Sequence, residues 1–473
     1  MVKTINIFII CVVCLCVSHT IQAKEIVHNN IVYCAYKYKD DKGLICKGFA
    51  DSTQTYNRLI LPDSIFVNGE NKAVYEIDGF AFYGIKDLQY VKLPNTLQRI
   101  FAKAFSECEN LDSLCVSDSL RFCTSDVFEN SNLVSITVSP QNPYFDSRDN
   151  SCAIIDSRNN ELLTWSANTI IPVSISKLGE KAFSKRKKLK QIIIPQNITK
   201  IGNQCFDSCD SLTSVTFVES KSNTKENRLC IGYYAFRNCK GLTSIQLPNR
   251  LDSIESAAFW MCKNIESIYI PENVSYISMA QFGFCNNLKS VKVAPGNKYY
   301  DSRNNCNAII ETSTNSLISA CSTTVIPNSV NTIGACAFSK VNIDSIFIPS
   351  SVKEIGNEAF NSKGIHSISI PASIKVIDLS SFLHCSNLKK IYLSHLNPPV
   401  IEDCRMDITP NEFKDILKDY DEENGYTFLK NLCVYVPKVA YKKFKKNPIW
   451  KQLRIVPYWF SYRFRFWVVK IIL

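Results

Sequence analysis

Apolar and polar positions along this chain recur in one phrase. A Phe is followed by L-x-x-[ILV]-x-[ILVF], often by Pro, and then by I-G-x-x-A-F, which brings the next Phe. The clearest copy runs from Phe236 through Leu242-Thr243-Ser244-Ile245-Gln246-Leu247-Pro248 and Ile254 to Ala258-Phe259, 23 residues on, and another 23 lead to Phe282. The Phe stands at positions 82, 105, 128, 183, 206, 236, 259, 282, 338, 360 and 382. A period in the low twenties sustained this long predicts a solenoid of stacked coils, because one coil cannot bury its apolar residues without a neighbour.

Within a coil, sets such as Leu88/Val91/Leu93, Leu189/Ile192/Ile194 and Leu388/Ile391/Leu393 point inward. The first residue opens a bend and the last two alternate as in a strand. The Pro that follows (Pro94, Pro195, Pro248, Pro271, Pro349, Pro371) has no N–H and ends the ladder. The Phe is expected to plug the far side of the coil. The predicted fold is therefore mainly β, a solenoid with one short parallel strand per coil of 22–23 residues and a cap at each end, about 13 coils in all.

Two spacings break the period: 55 residues from Phe128 to Phe183 and 56 from Phe282 to Phe338. The extra segments match each other. One reads Asn142-Pro143-Tyr144-Phe145-Asp146-Ser147-Arg148 and then Ala153-Ile154-Ile155; the other reads Asn297-Lys298-Tyr299-Tyr300-Asp301-Ser302-Arg303 and then Ala308-Ile309-Ile310. Each predicts a β-hairpin leading into a coil whose Phe is missing, within a duplicated block of about seven coils. Residues 219–228 predict a polar protruding loop. Domain boundaries follow. Residues 1–23 form a leader and 24–75 an N-terminal cap with a hairpin (Ile31-Val32-Tyr33 against Leu44-Ile45-Cys46) and the first strand, Leu59-Ile60-Leu61. The repeats fill 76–400, with hairpin inserts near 140–170 and 295–325; 401–457 form a C-terminal cap and 458–473 a basic aromatic tail. The cap is expected to hold a short helix near Asn411–Tyr420, a last strand at Cys433–Pro437 and a capping helix over Val439–Leu453.

Composition changes this picture little, except at the N-terminus. Lys3, the apolar run Ile5–Val17 and the small Ala23 read as a cleavable export signal. The run is too short to span a bilayer comfortably. The formal charge of +11 is spread among acids and does not mark a nucleic-acid partner. Of the 21 cysteines, Cys11, Cys14 and Cys16 lie in the leader, and six occupy one repeat position: Cys108, Cys209, Cys239, Cys262, Cys285 and Cys385. They form either a set of disulfides, which export permits, or a column of small buried side chains. Ile85, Ser131, Arg186, Val341 and Lys363 at the same position favour the second reading.

The phrase I-G-x-x-A-F-x-x-C-x-x-L-x-S-I-x-[IL]-P resembles the BspA-like leucine-rich repeat proteins. Ile201-Gly202 through Leu212, Ala235-Phe236 through Pro248 and Ile355-Gly356 through Pro371 carry the likeness. So do the Tyr-Tyr-Asp-Ser-Arg block and the ending Tyr435-Val436-Pro437, Tyr441 and Trp450-Lys451; it covers roughly residues 59–457. The resemblance implies a secreted or cell-surface protein, typically of Gram-negative anaerobes, associated with adhesion. Its partners would be a host extracellular-matrix or cell-surface protein or glycan, or another bacterial surface protein. The tail departs from the family pattern. Its alternating Phe460, Tyr462, Phe464 and Phe466 are expected to pack on the cap or stay unstructured rather than touch a membrane.

No catalytic residue, cofactor or metal site is expected. No phosphate-binding, zinc-protease or serine-hydrolase motif is present. His384 beside Cys385 could be a thiol nucleophile or metal pair, but no third group accompanies it, and a repeat-turn residue beside a core Cys is the plainer reading. Asp146-Ser147-Arg148 and Asp301-Ser302-Arg303 could hold calcium or a sugar, or simply open the hairpin; the turn explains them better. A more informative pattern lies in the strand. Ser fills one position in eight of eleven coils, whereas the residue between the last two inward ones varies. Gln246, Tyr269, Lys292, Phe347 and Tyr392 in that variable row are the candidate partner-binding residues, since aromatic and basic side chains anchor interfaces. An ordinary solvated sheet face is the alternative there. For the whole chain the choice lies between non-enzymatic binding of a protein or glycan and a structural envelope protein that self-assembles without a ligand.

Overall fold

The computed structural model describes residues 25–35, 43–51, 53–166, 169–219, 227–403, 408–417, 429 and 431–458. The expected leader, most of the 219–228 loop, much of the acidic stretch after 403 and all but the first residue of the tail lie outside them. The chain divides into two compact units, Met1–Leu133 with Thr137–Phe145, and Val134–Ile136 with Asp146–Leu473.

Parallel strands in strict register build the coils. In the first unit Leu59, Val91 and Leu114 face one another on neighbouring strands. In the second, Ser244, Ser267 and Ser290 line up, as do Ile245, Ile268 and Val291. The inward residues of this set are buried and Tyr269 and Lys292 between them are exposed, the alternation the pleat imposes. Strands stop before the Pro, whose carbonyl accepts the N–H three residues on, as Pro195 does from Ile198 at 3.2 Å and Pro248 from Leu251 at 3.0 Å. That turn leads into a second, two-residue strand such as Lys200–Ile201, which pairs in parallel with its counterparts in adjacent coils. Two residues are too short a run to show period-2 alternation, so the sequence pattern did not announce them.

The Phe side of the coil is held by a third ladder, which is not β. In most coils the residues two before and two after the Phe have positive φ although few are Gly: Lys181 (55°) and Lys185 (58°), Gln204 (54°) and Ser208 (58°), Tyr234 (55°) and Asn238 (59°). Each costs roughly 1–3 kcal/mol in isolation. The alternation turns up to three N–H groups per coil toward the next one. Lys181, Phe183 and Lys185 donate to the carbonyls of Asn203, Cys205 and Asp207 at 2.9, 2.8 and 2.7 Å. Gln204, Phe206 and Ser208 repeat the pattern on Tyr233, Ala235 and Arg237. Behind the ladder the Phe rings stack, with centroids 4.9 Å apart for Phe183–Phe206, 5.2 Å for Phe206–Phe236 and 5.6 Å for Phe236–Phe259.

The cysteine column belongs to the same edge. Each thiol donates to the carbonyl of the repeat Phe in the preceding coil: Cys108 to Phe82 at 3.2 Å, Cys209 to Phe183 at 3.0 Å, Cys239 to Phe206 at 3.1 Å, Cys262 to Phe236 at 3.0 Å, Cys285 to Phe259 at 3.1 Å and Cys385 to Phe360 at 2.7 Å. The described cysteines are all free thiols. Ser131, Arg186 and Ser362 near that position bond other carbonyls, those of Phe128, Trp165 and Val341.

The inserts are antiparallel hairpins that rejoin the parallel stack. Ala153–Asp156 pairs with Glu161–Trp165, and Leu162 then faces Leu178 in parallel. Ala308–Glu311 pairs with Ser316–Ala320, and Leu317 then faces Ile333. The strand Ala308–Glu311 is a wall between two apolar cores: Ile309 belongs to the core that runs from Ala153 to Val293, Ala308 and Ile310 to the one that ends at Ile455. At the C-terminus the helix Pro410–Ile416 starts with a Thr409/Glu412 capping box. The capping segment is a six-residue helix, Tyr441–Lys446, and a turn at Trp450–Gln452, shorter than expected because Pro448 cannot continue a helix. Cys433–Pro437 is not the last strand. Arg454–Tyr458 pairs with it in parallel, placing Pro457 on an edge where its missing N–H is harmless. Strands outside the Phe-bearing repeats, such as Arg454–Tyr458, bring the solenoid to about 16 turns rather than 13.

Candidate partner-binding face

The five candidate residues fall into two groups. Gln246 follows the strand Ser244–Ile245, and Tyr269 sits directly across from Lys292. Phe347 faces Ser369, Ser369 faces Tyr392, and Tyr392 faces Tyr435. Tyr269 is 51% and Phe347 54% exposed; Gln246 and Lys292 are exposed as well. Tyr392 is half-buried because its ring stacks on Tyr435, centroids 4.7 Å apart. Tyr435 was not singled out from the sequence, although its strand repeats the same alternation.

The second insert separates the groups. Its Ser302 hydroxyl accepts from the Val293 N–H at 3.0 Å, and Ser322 and Thr323 donate to the Leu288 and Lys289 carbonyls at 2.9 and 2.5 Å. Side chains thus occupy the ladder where the next strand would stand. The serines of the uniform row lie in register, yet none bonds its neighbour's hydroxyl among the described residues; their small size is what the row shares.

Sequence reasoning missed a second, partly exposed set on the Phe edge. In the second unit Tyr233 and Tyr234 have centroids 3.9 Å apart, with Arg237 4.7 Å over Tyr234, and Trp260 meets Phe284 edge-on at 5.4 Å. These side chains follow the left-handed ladder, whose outward positions no helix or strand period predicts.

Burial pushes the Cys385 thiol up to about 12, which keeps it protonated and off a nucleophilic path; Cys209 and Cys262 are raised to about 12 in the same way. His366 pairs with Asp344 at 2.7 Å on the surface. His395 is buried against the Ile374 carbonyl, and burial lowers its pKa. The Asp-Ser-Arg blocks are hairpin turns: Arg148 Nε and Nη2 donate to the Asp146 carboxylate at 2.8 and 2.5 Å, and Arg303 does the same to Asp301. Among the described residues no three His, Cys, Asp or Glu side chains gather as metal ligands, and no helix is long and apolar enough to cross a membrane.

A family model for the BspA type leucine-rich repeat region matches the chain in six copies, over residues 67–152, 164–230, 221–318 and 310–404. Among solved structures, a leucine-rich cell-surface protein from Faecalibacterium prausnitzii A2-165 is 18% identical, with 95% of this chain and 98% of that one covered and a TM-score of 0.41. A leucine-rich repeat protein from Bacteroides ovatus ATCC 8483 is 19% identical over 92% and 100% of the two chains, at a TM-score of 0.38. The pneumococcal vaccine antigen PcpA is 16% identical over 93% and 100%, at 0.35. No curated protein matches.

Proposed function

This chain belongs to the BspA-type leucine-rich repeat family, and from that premise we propose that it is a secreted or cell-surface repeat protein that holds a protein or glycan partner and catalyses no reaction. The partner is a host extracellular-matrix or cell-surface protein or glycan, or another bacterial surface protein. The observation that carries this reading is the row of outward side chains along parallel strands: exposed Gln246, Tyr269 and Lys292 in one group, and exposed Phe347 with half-buried Tyr392 and Tyr435 in the other. A rigid sheet pays little ordering entropy on binding, and aromatic anchors spaced along it give large contact area at few rotatable bonds. The test is capture of matrix proteins and surface glycans by the wild-type chain and by Tyr269→Ser/Lys292→Ser/Phe347→Ser/Tyr392→Ser. The expected result is a partner held by the first and lost by the second, with thermal unfolding unchanged. Self-assembly at micromolar concentration with no heterologous partner would make the chain a spacer instead.

A further inference from the structure

Beside the strand row, at the base of the second insert, lies a cleft of about 200 Å³ lined by Arg228, Glu272, Asn273, Gly296, Lys298 and Tyr299. Its residues come from three places. Glu272 and Asn273 occupy the turn after Pro271, and Gly296, Lys298 and Tyr299 open the hairpin. Arg228 precedes the strand Leu229–Ile231. Buried Asn297 fixes the hairpin side. Its amide donates to the Pro271 and Val274 carbonyls at 2.9 and 3.0 Å, while its oxygen accepts from Tyr299 and Tyr300 N–H at 2.8 and 2.9 Å. The Glu272 carboxylate lies flat against Gly296, where any Cβ would come within 2.6 Å of its oxygen. Arg228 is held by Asp252 at 2.6 Å, and Asn273 by the Asn249 carbonyl at 2.8 Å.

The charges that remain decide the ligand. Among the described residues the side chains of Glu272 and Lys298 have no bonded partner, so the cleft presents an open carboxylate and an open ammonium together. Arg228 adds further N–H donors, and Tyr299 an exposed ring. An anion would meet Glu272 and a cation would meet Lys298, while the Arg228 charge is already matched by Asp252. A neutral polyol meets neither objection, because each hydroxyl both donates and accepts. Hydrogen bonds to charged groups are the stronger kind, and an aromatic face suits the apolar C–H face of a sugar ring. The volume is below that of a drug-sized pocket and suits one ring. We propose that this cleft binds a neutral hexopyranose of a glycan, its hydroxyls shared between Glu272/Asn273 and Lys298/Arg228 and its ring lying on Tyr299. The first insert has Gln141 and Pro143 where the second has Gly296 and Lys298, so the same hairpin lacks both the flat carboxylate seat and the ammonium.

The site is separate from the strand row, and its test keeps the two apart. The full-length chain is titrated with the methyl glycosides of glucose, galactose, mannose and N-acetylglucosamine, with binding read by saturation-transfer NMR. At least one is expected to bind, and Tyr299→Ala, Glu272→Gln and Gly296→Ala are each expected to weaken it about tenfold or more. All three positions are on the surface, and unchanged thermal unfolding shows that each variant folds. The strand-row quadruple variant should keep the sugar even if it loses its protein partner. The proposal is overturned if no neutral glycoside binds, or if all three cleft variants bind like the wild type. It is equally overturned if the quadruple variant abolishes binding, or if only anionic probes (sulfate, the methyl glycoside of N-acetylneuraminic acid) bind.

Discussion

The two inserts share a skeleton and differ in what fills it. Asn142 makes the same four hydrogen bonds as Asn297, to the Ser117 and Leu120 carbonyls and from the Tyr144 and Phe145 N–H groups. Arg148 reaches Asn160 at 3.0 Å as Arg303 reaches Asn315 at 2.8 Å. Both hairpins carry a bulge at the same place, between Ile154 and Ile155 and between Ile309 and Ile310. The fillings diverge. In the first, Trp165 stands in for the missing Phe: its ring lies 5.3 Å from Phe183, and Arg186 sits 5.6 Å over it while bonding its carbonyl. In the second, Ala320 stands opposite Ala308 as Trp165 stands opposite Ala153, and Tyr300 replaces Phe145 and accepts from the Ile277 N–H at 2.9 Å. What must be kept to turn the chain out of the coil and back is the set of polar side chains that satisfy buried backbone groups, because each such group left unpaired carries its own desolvation cost. The plug can vary as long as something apolar occupies it.

The largest expected effect falls on the plug. Trp165→Ala should lower stability by about 3–5 kcal/mol in chemical denaturation, as large-to-small core changes do; a loss near zero would show that the first insert needs its plug no more than the second. Next come Asn142→Ala and Asn297→Ala. Each strands two backbone N–H groups and two carbonyls, and each should cost about 3 kcal/mol, with the two values close to one another. A large gap between them would break the equivalence of the skeletons. The thiol column distinguishes the coils between the inserts, which hold Cys209, Cys239, Cys262 and Cys285, from those after the second, which hold Cys385. These thiols are kept neutral by burial, with Cys209, Cys262 and Cys385 lifted from 9.0 to about 12. The unfolded chain ionises first, so stability is complete below pH 9 and is lost as pH rises toward 12. Under reducing conditions the denaturation midpoint should stay level up to about pH 9 and then fall as pH rises toward 12. In Cys209→Ala/Cys239→Ala/Cys262→Ala it should start lower and fall less steeply. The smallest effect belongs to Tyr300→Phe, which gives the second insert the first one's side chain and leaves the Ile277 N–H unpaired, for roughly 1 kcal/mol.

Much of the molecule was legible because burial in a stacked coil imposes short periods on sequence. Leu88, Val91 and Leu93 announce a bend and a strand, Pro94 its end, Phe105 the next plug, and Asn142 or Asn297 a departure from the coil. Each of these residues answers to its own coil and its nearest neighbours. Other features depend on partners that meet only after stacking. The Cys108 thiol finds the Phe82 carbonyl 26 residues away. Arg250 is 1% exposed with its guanidinium on the carbonyls of Ile198 and Pro195, more than 50 positions earlier, in a place where a charged side chain reads as solvated. Lys181 and Lys185 adopt left-handed backbone only because three N–H groups of that coil must reach the next. The grouping of Tyr269 with Lys292, and of Phe347 with Tyr392 and Tyr435, was likewise decided by the tertiary structure, since the second insert's side-chain hydroxyls cap the ladder between them. Periodicity established by itself that the chain stacks and which side chains face in; where the outward ones gather depended on which coils the inserts keep apart.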